Sequence, residues 1–317
     1  MSGEESNPKI LPFSDLYIRL DGDGLTPARF RPDITTPFGA KLGPGNFRVP
    51  REFHWYVDKV REIINEEGRR RHGIIEYLGR RLRYVTIHAD GAESWSAIRS
   101  LPLDLPDIET LNINEEVLRK IKSWGHRKGF VLVSGTTGAG KTTTTVGLIN
   151  HFMETIGGLV YTIEDPPELS MMGVMGKGFA IQTPVDINTS WSDALEIAMR
   201  SNPNILMFGE IRSPEAAGSL LLASGQLVMT TIHASSAADT ITALMQKAET
   251  GLGESAKGKL ADGLIGVIHQ TMTERGPRIE LLEPHPNSAD DPIRAAIRAG
   301  RYSQIKGAQP FEPAGRR

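Results

Sequence analysis

Lys141 stands in a stretch, "GTTGAGKTTTT" (residues 135–145), that surrounds one lysine with three glycines and six threonines. Threonine is a mediocre helix former, because its branched β-carbon restricts χ1. Four in a row where a helix should begin call for a chemical reason. Gly135, Gly140, Lys141 and Thr142 satisfy the pattern G-x-x-x-x-G-K-[ST], and the apolar run "FVLVS" stands directly before them. That is the strand, loop and helix context a phosphate loop requires. Glycines let the chain curl so that successive N–H groups point into one concavity, and the free N–H groups of the following helix add positive potential. On this reading the backbone of Gly135, Thr136, Thr137, Gly138, Ala139 and Gly140 cradles the phosphates of ATP, and Lys141 reaches the β- and γ-phosphates. Thr142 would place its hydroxyl on Mg²⁺, a cation that prefers hard oxygen ligands. Thr143 is placed to approach the α-phosphate, and a helix's first-turn N–H groups lack intrahelical partners, so hydroxyls there cost little. The pattern gives Thr144 and Thr145 no role. The bland alternative is a glycine-rich turn with an incidental lysine.

Hydrolysis would also need carboxylates for metal and water, and groups that feel the γ-phosphate. "LVYTIEDPPE" puts Glu164 and Asp165 at the end of an apolar run, and "NILMFGEIR" does the same for Glu210. "VMTTIHASSAADTI" puts His233 at the end of a third run. Strand ends in a sheet that also carries the phosphate loop converge on one crevice. Against this stand a solvated loop acid at Glu210, a helix N-cap at Glu164 or Asp165, and a hydrogen-bonded structural histidine at His233. The other histidines form no His-x3-His or His/Glu cluster, which disfavours a transition-metal site. "GRRRHG" at 68–73 reads as a solvated helix end, and Met171, Met172 and Met175 as adaptable packing under a loop.

These residues need elements to hold them. "GFVLVSG", "GGLVYTIED", "NILMFGE" and "QLVMTTIHA" are apolar, β-rich runs separated by helical stretches or longer connections, the pattern of a mostly parallel sheet with helices on both faces. Upstream, "LYIRL" and "LRYVTIHA" read as strands. "REFHWYVDKVREIINEEGRRR" reads as a helix, with Phe53, Val57, Val60, Ile63 and Ile64 at helical spacing. The chain of 317 residues is long for a single core. It is expected to divide into a smaller α+β domain at 1–101, a linker at 102–115 in which Pro102 and Pro106 interrupt any helix, and an α/β domain at 116–317. The tail "QPFEPAGRR" is expected to fray.

The formal net charge of −2 advertises neither nucleic acid nor an anionic membrane as partner. The sequence has no cysteine, which excludes disulfides, thiolate zinc sites and thiol catalysis. The start "MSGEESNPKI" does not read as a leader, and no apolar run reaches the length that spans a bilayer. A cytoplasmic chain that meets membranes only through partners is expected.

Together these boxes resemble the secretion-ATPase superfamily of type IV pili and type II and type IV secretion systems. "GTTGAGKT" looks like its Walker A loop, "IEDPPE" its Asp box, "NILMFGEIR" its Walker B box and "TTIHASSAADTI" its His box. "GRRLRYV" and "AIRSLP" look like the family's N-terminal arginine motifs and nominate Arg83 and Arg99. "DDPIRAAIRAGRYSQI" is similar to the C-terminal segment of PilT-type retraction ATPases, whose final segment is expected to be missing or altered here. The resemblance implies a PAS-like domain followed by a RecA-like P-loop ATPase domain, a homohexameric ring, and an inner-membrane platform or secretion-channel protein as partner. It implies that Glu210 polarises the attacking water, that Glu164 and Asp165 organise Mg²⁺ and water, and that His233 responds to the γ-phosphate. Arg83, Arg99, Arg200 and Arg212 become candidates to neutralise the triphosphate, within or between subunits, and 102–115 becomes the hinge. Ser213 stands where the family usually has aspartate, and "HASS" where "HTNS" is usual. The missing tetracysteine motif favours a PilT-like, conjugation-type or Dot-type member. Two other classes fit a phosphate loop: a nucleotide-dependent binding module without turnover, and a RecA-like nucleic-acid motor. The water-activating carboxylates disfavour the first, and the charge balance and low aromatic content disfavour the second.

Overall fold

Alternating and continuous apolar runs sort this chain into two different sheets. The computed structural model describes residues 10–21, 28–68, 72–88, 93–102, 104–186, 188–285, 291–305, 309–312 and 314. The chain divides into two compact units: Met1–Asp104 with Glu168–Ser170, and Leu105–Pro167 with Met171–Arg317.

In the first unit, strands β1 (Phe13–Arg19), β2 (Arg29–Pro32), β3 (Phe47–Arg48), β4 (His72–Tyr77), β5 (Arg80–His88) and β6 (Ser94–Ser100) form an antiparallel sheet in the order β3-β2-β1-β6-β5-β4. Helix α1 (Pro37–Leu42) is short, and α2 (His54–Glu66) carries the expected apolar stripe. Phe53, Val57, Val60 and Ile64 are buried in one cluster with Phe13, Leu16, Leu82 and Ile98, and Ile63 packs at its margin. Strand β1 turns alternate residues inward, the signature of a sheet covered on one face. Of the basic stretch at 68–73, residues 69–71 lie outside the described residues, and His72 already belongs to β4.

The second unit is built on strands β7 (Gly129–Ser134), β8 (Gly158–Glu164), β9 (Gly173–Met175), β10 (Gly178–Pro184), β11 (Ile205–Glu210), β12 (Leu227–Ile232), β13 (Leu264–Thr273), β14 (Gly276–Leu282) and β15 (Gln309–Phe311). Their order is β15-β14-β13-β7-β12-β11-β8-β10-β9. The stretch from β13 to β10 is parallel, and antiparallel strands flank it on both sides. Helices α3 (Glu115–Lys122), α4 (Lys141–Thr155), α5 (Trp191–Arg200), α6 (Pro214–Leu222), α7 (Ala237–Leu252), α8 (Ser255–Gly263) and α9 (Pro292–Arg298) complete it. Every residue of β12 is buried, as a strand covered on both faces demands. A large core cluster joins α5, α6, α7 and α8 to the sheet, with Trp191 stacked on Phe208 at 5.9 Å between ring centroids.

The sheet is mixed, and larger than the four apolar runs indicate. Strands β13 and β14 form a hairpin next to β7, in a region the sequence pattern leaves unassigned. The tail is not frayed throughout: Gln309–Phe311 pairs with β14 as an edge strand. Met171 and Met175 are buried, whereas Met172 is exposed. No helix among the described residues is long and apolar enough to cross a membrane.

Candidate nucleotide site

Strands β7, β12, β11 and β8 are consecutive parallel neighbours. The phosphate-type loop, His233, Glu210 and Glu164 therefore gather at one end of the sheet, where α/β folds bind ligands. The loop leaves β7 at Gly135, and α4 starts at Lys141, directly after Gly140 in the left-handed region at φ 81°. A side chain at Gly135 would place its Cβ 2.2 Å from the Gln270 carbonyl oxygen, so only glycine lets β13 and the loop approach so closely.

The Lys141 side chain is buried across the loop, donating to the carbonyls of Gly135 (3.2 Å) and Thr136 (3.0 Å) and to His233 Nδ1 (3.3 Å). An ammonium group cannot accept, so Nδ1 is the acceptor and the ring proton of a neutral imidazole sits on Nε2. That nitrogen meets Glu210 Oε1, and the other oxygen, Oε2, accepts from Arg212 Nε at 2.7 Å. A continuous polar string thus runs Lys141, His233, Glu210, Arg212. Glu210 is largely enclosed, with 16% of its side chain exposed, while Arg212 projects outward at 65%.

Glu164 is buried, and its Oε1 accepts from Thr162 Oγ1 (2.7 Å) and Gln182 Nε2 (2.8 Å). It sits against Gly209, where a Cβ would come within 3.2 Å of Glu164 Cγ. Asp165 follows, exposed. In the first turn of α4, Thr142 is partly buried and Thr143 exposed, whereas Thr144 and Thr145 are buried. Thr145 Oγ1 donates to the Lys141 carbonyl at 2.9 Å, a packing role for a hydroxyl the spacing left unassigned.

The two departures from the usual boxes have local structural roles. Ser213 is the N-cap of α6, accepting from Ala216 N at 3.1 Å ahead of Pro214. Ser236 caps α7 through Asp239 N (3.1 Å), and Ser235 donates N–H and O–H to Asp239 Oδ2 (3.0 and 2.8 Å). Those bonds hold the Asp239 carboxyl below its ordinary value.

Arg200 ends α5, exposed and paired with Glu196 at 2.5 Å, so it joins none of these groups. Arg83 and Arg99 are cross-strand neighbours on β5 and β6 in the first unit. Arg99 pairs with Asp15 at 2.9 Å, and Arg83 with Glu168 at 3.6 Å. Among the described residues no cluster of three His, Asp or Glu is arranged to hold a metal by itself. The oxygen donors of Thr142, Glu164 and Asp165 nevertheless suit Mg²⁺, which keeps waters and phosphate oxygens and needs few protein ligands.

A strand-loop-helix cradle beside an acid and a histidine at the ends of parallel strands defines a P-loop nucleotide-binding α/β protein. The family described as Type II/IV secretion system protein matches residues 80–282, and the chain belongs to it. A "Twitching motility protein" of Neisseria gonorrhoeae is 31% identical over 214 residues, 66% of this chain and 56% of that one. The chain thus spans just over half of that relative's length. The crystal structure of the pilus retraction motor PilT with bound ADP superposes with a TM-score of 0.67 at 28% identity, covering 93% of this chain and 84% of that one. The Legionella pneumophila ATPase DotB, at 19% identity and TM-score 0.66 over 93% of this chain and 84% of its own, shares the fold.

Proposed function

We propose that this chain is a Mg²⁺-dependent ATPase that works as a ring-shaped motor of type IV pilus dynamics or of a type IV secretion apparatus. The observation that carries the reading is the string from Lys141 through His233 to Glu210. The residue that would meet the γ-phosphate is wired, through one imidazole, to the residue that would activate water. A γ-phosphate recruits the Lys141 ammonium away from the loop carbonyls and from His233, and that loss frees Nδ1 to respond to the phosphate. His233, whose Nε2 lies in contact with Glu210 Oε1, then carries the change to Glu210, whose carboxylate orients and takes a proton from the attacking water. Bound Mg²⁺ would supply charge neutralisation between the phosphates. Thr142, Glu164 and Asp165 are the residues to hold it directly or through water, with Thr162 and Gln182 fixing the Glu164 carboxylate.

Arg212, already on Glu210, is the near cation for charge developing in the transition state. Arg83 and Arg99 are assigned to the same task from a neighbouring copy, and the first unit is read as the PAS-like partner domain of the family. Cycling at the site then moves the units about residues 102–115. The ring acts at the cytoplasmic face of the inner membrane by docking on a platform or secretion-channel protein. No direct role for nucleic acid enters the cycle.

Phosphate release from Mg-ATP, measured over a range of protein concentrations, tests the reading against Glu210→Gln. Wild-type activity per chain should rise with concentration, and the variant should bind ATP with turnover lowered about a thousandfold. Equal turnover in the variant overturns the assignment of Glu210. Binding without turnover in the wild type replaces the motor with a nucleotide-held binding module.

A further inference from the structure

Directly behind the loop lies a second histidine that the nucleotide chemistry leaves unused. His269, on β13, is registered against Ser134 of β7 on one side and Glu280 of β14 on the other. Only 5% of it is exposed. Its Nδ1 lies 3.1 Å from Ser134 Oγ, and Ser134 is the residue immediately before Gly135. Thr240 Oγ1, on α7, is 2.5 Å from the same Ser134 oxygen and 2.8 Å from the carbonyl of Ser236, the cap of α7. Ser134 and Thr240 are fully buried. The string therefore ties β13 to the last residue of β7 and on to the first turn of α7, whose cap, Ser236, stands three residues beyond His233. The next residue of β13, Gln270, is also buried and donates to the carbonyl of Ala139 inside the loop.

Packing alone would not select this arrangement. A buried imidazole and two buried hydroxyls are costly unless every one is paired, and an apolar trio of similar volume would fill the space more cheaply. A fully paired buried network instead fixes one geometry. The charged groups that face His269 are Glu280 on β14, Asp239 on α7 and Lys141 on α4, while β7 presents only the Ser134 hydroxyl.

We propose that His269 is a positioning residue for the nucleotide site: through Ser134 and Thr240 it locks the end of β7 to the start of α7, setting the distance between the Lys141 loop and His233. The proposal rests on the reading of this loop as a nucleotide cradle. It predicts an atom-specific rescue, because asparagine puts an amide at the same number of bonds from the backbone as Nδ1, whereas glutamine puts it where Nε2 would be. His269→Leu and His269→Gln should raise the Kd for a fluorescent ADP analogue about tenfold, the loss of one well-placed bond, and His269→Asn should stay within about threefold of wild type. Ser134→Ala should match His269→Leu, and the double variant should be no weaker than either single one. In steady state KM for Mg-ATP should rise with Kd and kcat should fall as well in His269→Leu and His269→Gln, with both recovered in His269→Asn, since the Lys141–His233 distance that feeds Glu210 is no longer fixed in the first two.

The measurement is titration of the full chain with the analogue, with circular dichroism confirming that each variant is folded. If His269→Leu fails to fold, the comparison of Asn with Gln and the Ser134→Ala variant carry the test. Asn as weak as Gln, an additive double variant, or a folded His269→Leu that binds like wild type overturns the proposal. Wild type that binds no analogue, with or without Lys141→Ala, overturns the nucleotide reading and this one with it. Wild type that binds, with binding lost in Lys141→Ala, leaves the His269 variants to test the positioning role alone.

Discussion

Consecutive residues of a helix face directions about 100° apart, so four adjacent threonines cannot all serve one ligand. Thr142 borders the cradle, Thr143 meets solvent, and Thr144 and Thr145 turn into the core. Thr142→Ala should weaken Mg²⁺-dependent nucleotide binding about tenfold and leave Mg²⁺-free binding unchanged. Thr145→Val removes a hydroxyl whose acceptor, the Lys141 carbonyl, is also within the helix ladder, so it should shift stability by less than about 1 kcal/mol and leave binding as it is. Titrations with and without chelator, together with urea melts, check both. Burial lowers the pKa of His269 below the ordinary 6.5, and burial followed by the nearby Lys122 charge does the same for His151. The unfolded chain then binds more protons than the folded one just below pH 6.5. Stability present in full above that value should fall as the pH drops through the window toward the folded values. The urea midpoint should be lower at about pH 5.5 than at about pH 7.5, with a smaller drop in His269→Asn, whose side chain cannot charge. A midpoint that rises on acidification would contradict the direction of these shifts. The residues visible in the sequence are those in local patterns, such as the loop of Lys141 or the acid of "GEIR". Gln182, His269 and Gln270 were not visible, because their partners lie 18, 135 and 131 residues away and only strand pairing brings them together.

At the scale of elements, β13 is what the loop leans on. Gly135→Ala would drive a Cβ into the Gln270 carbonyl and strain a backbone at φ 151°. Gly138 also has positive φ but opens into free space. Gly135→Ala should therefore lower stability by about 1–3 kcal/mol and loosen nucleotide binding, and Gly138→Ala should cost about 1 kcal/mol or less. Thermal melts and analogue titration of the two variants separate these outcomes, and equal effects would mean that the approach of β13 does not constrain the loop. The four central strands were legible because burial on both faces forces continuous apolar runs. Strand β10, exposed at alternate positions on the sheet's flank, offered a weaker signal. Strand β13 has an apolar first half that continues from α8 without a break, and its polar second half contains the very residues that brace the loop. A run that changes character midway matches no single periodicity.

For the whole molecule, the proposed arginines decide whether one chain is a complete enzyme. Arg99→Ala and Glu210→Gln should each nearly abolish turnover while keeping nucleotide binding. Mixing the two should restore a measurable part of the wild-type rate if Arg99 serves a neighbour's site, and restore nothing if it serves its own. Phosphate release from the mixed chains at rising total concentration is the readout. How such copies can associate is narrowed by the margins of the large sheet. It ends in two strands of three residues each, β15 and β9. Pro310 leaves β15 without a backbone donor at its centre, and β9 begins at Gly173 and is followed by Gly176, both with positive φ. Such margins offer almost no ladder for an incoming strand. If the proposed ring forms, copies that meet at these two margins of the large sheet would do so through side chains rather than by continuing that sheet. A contact of that kind can slide and re-form with every turnover, where main-chain pairing would have to be torn open.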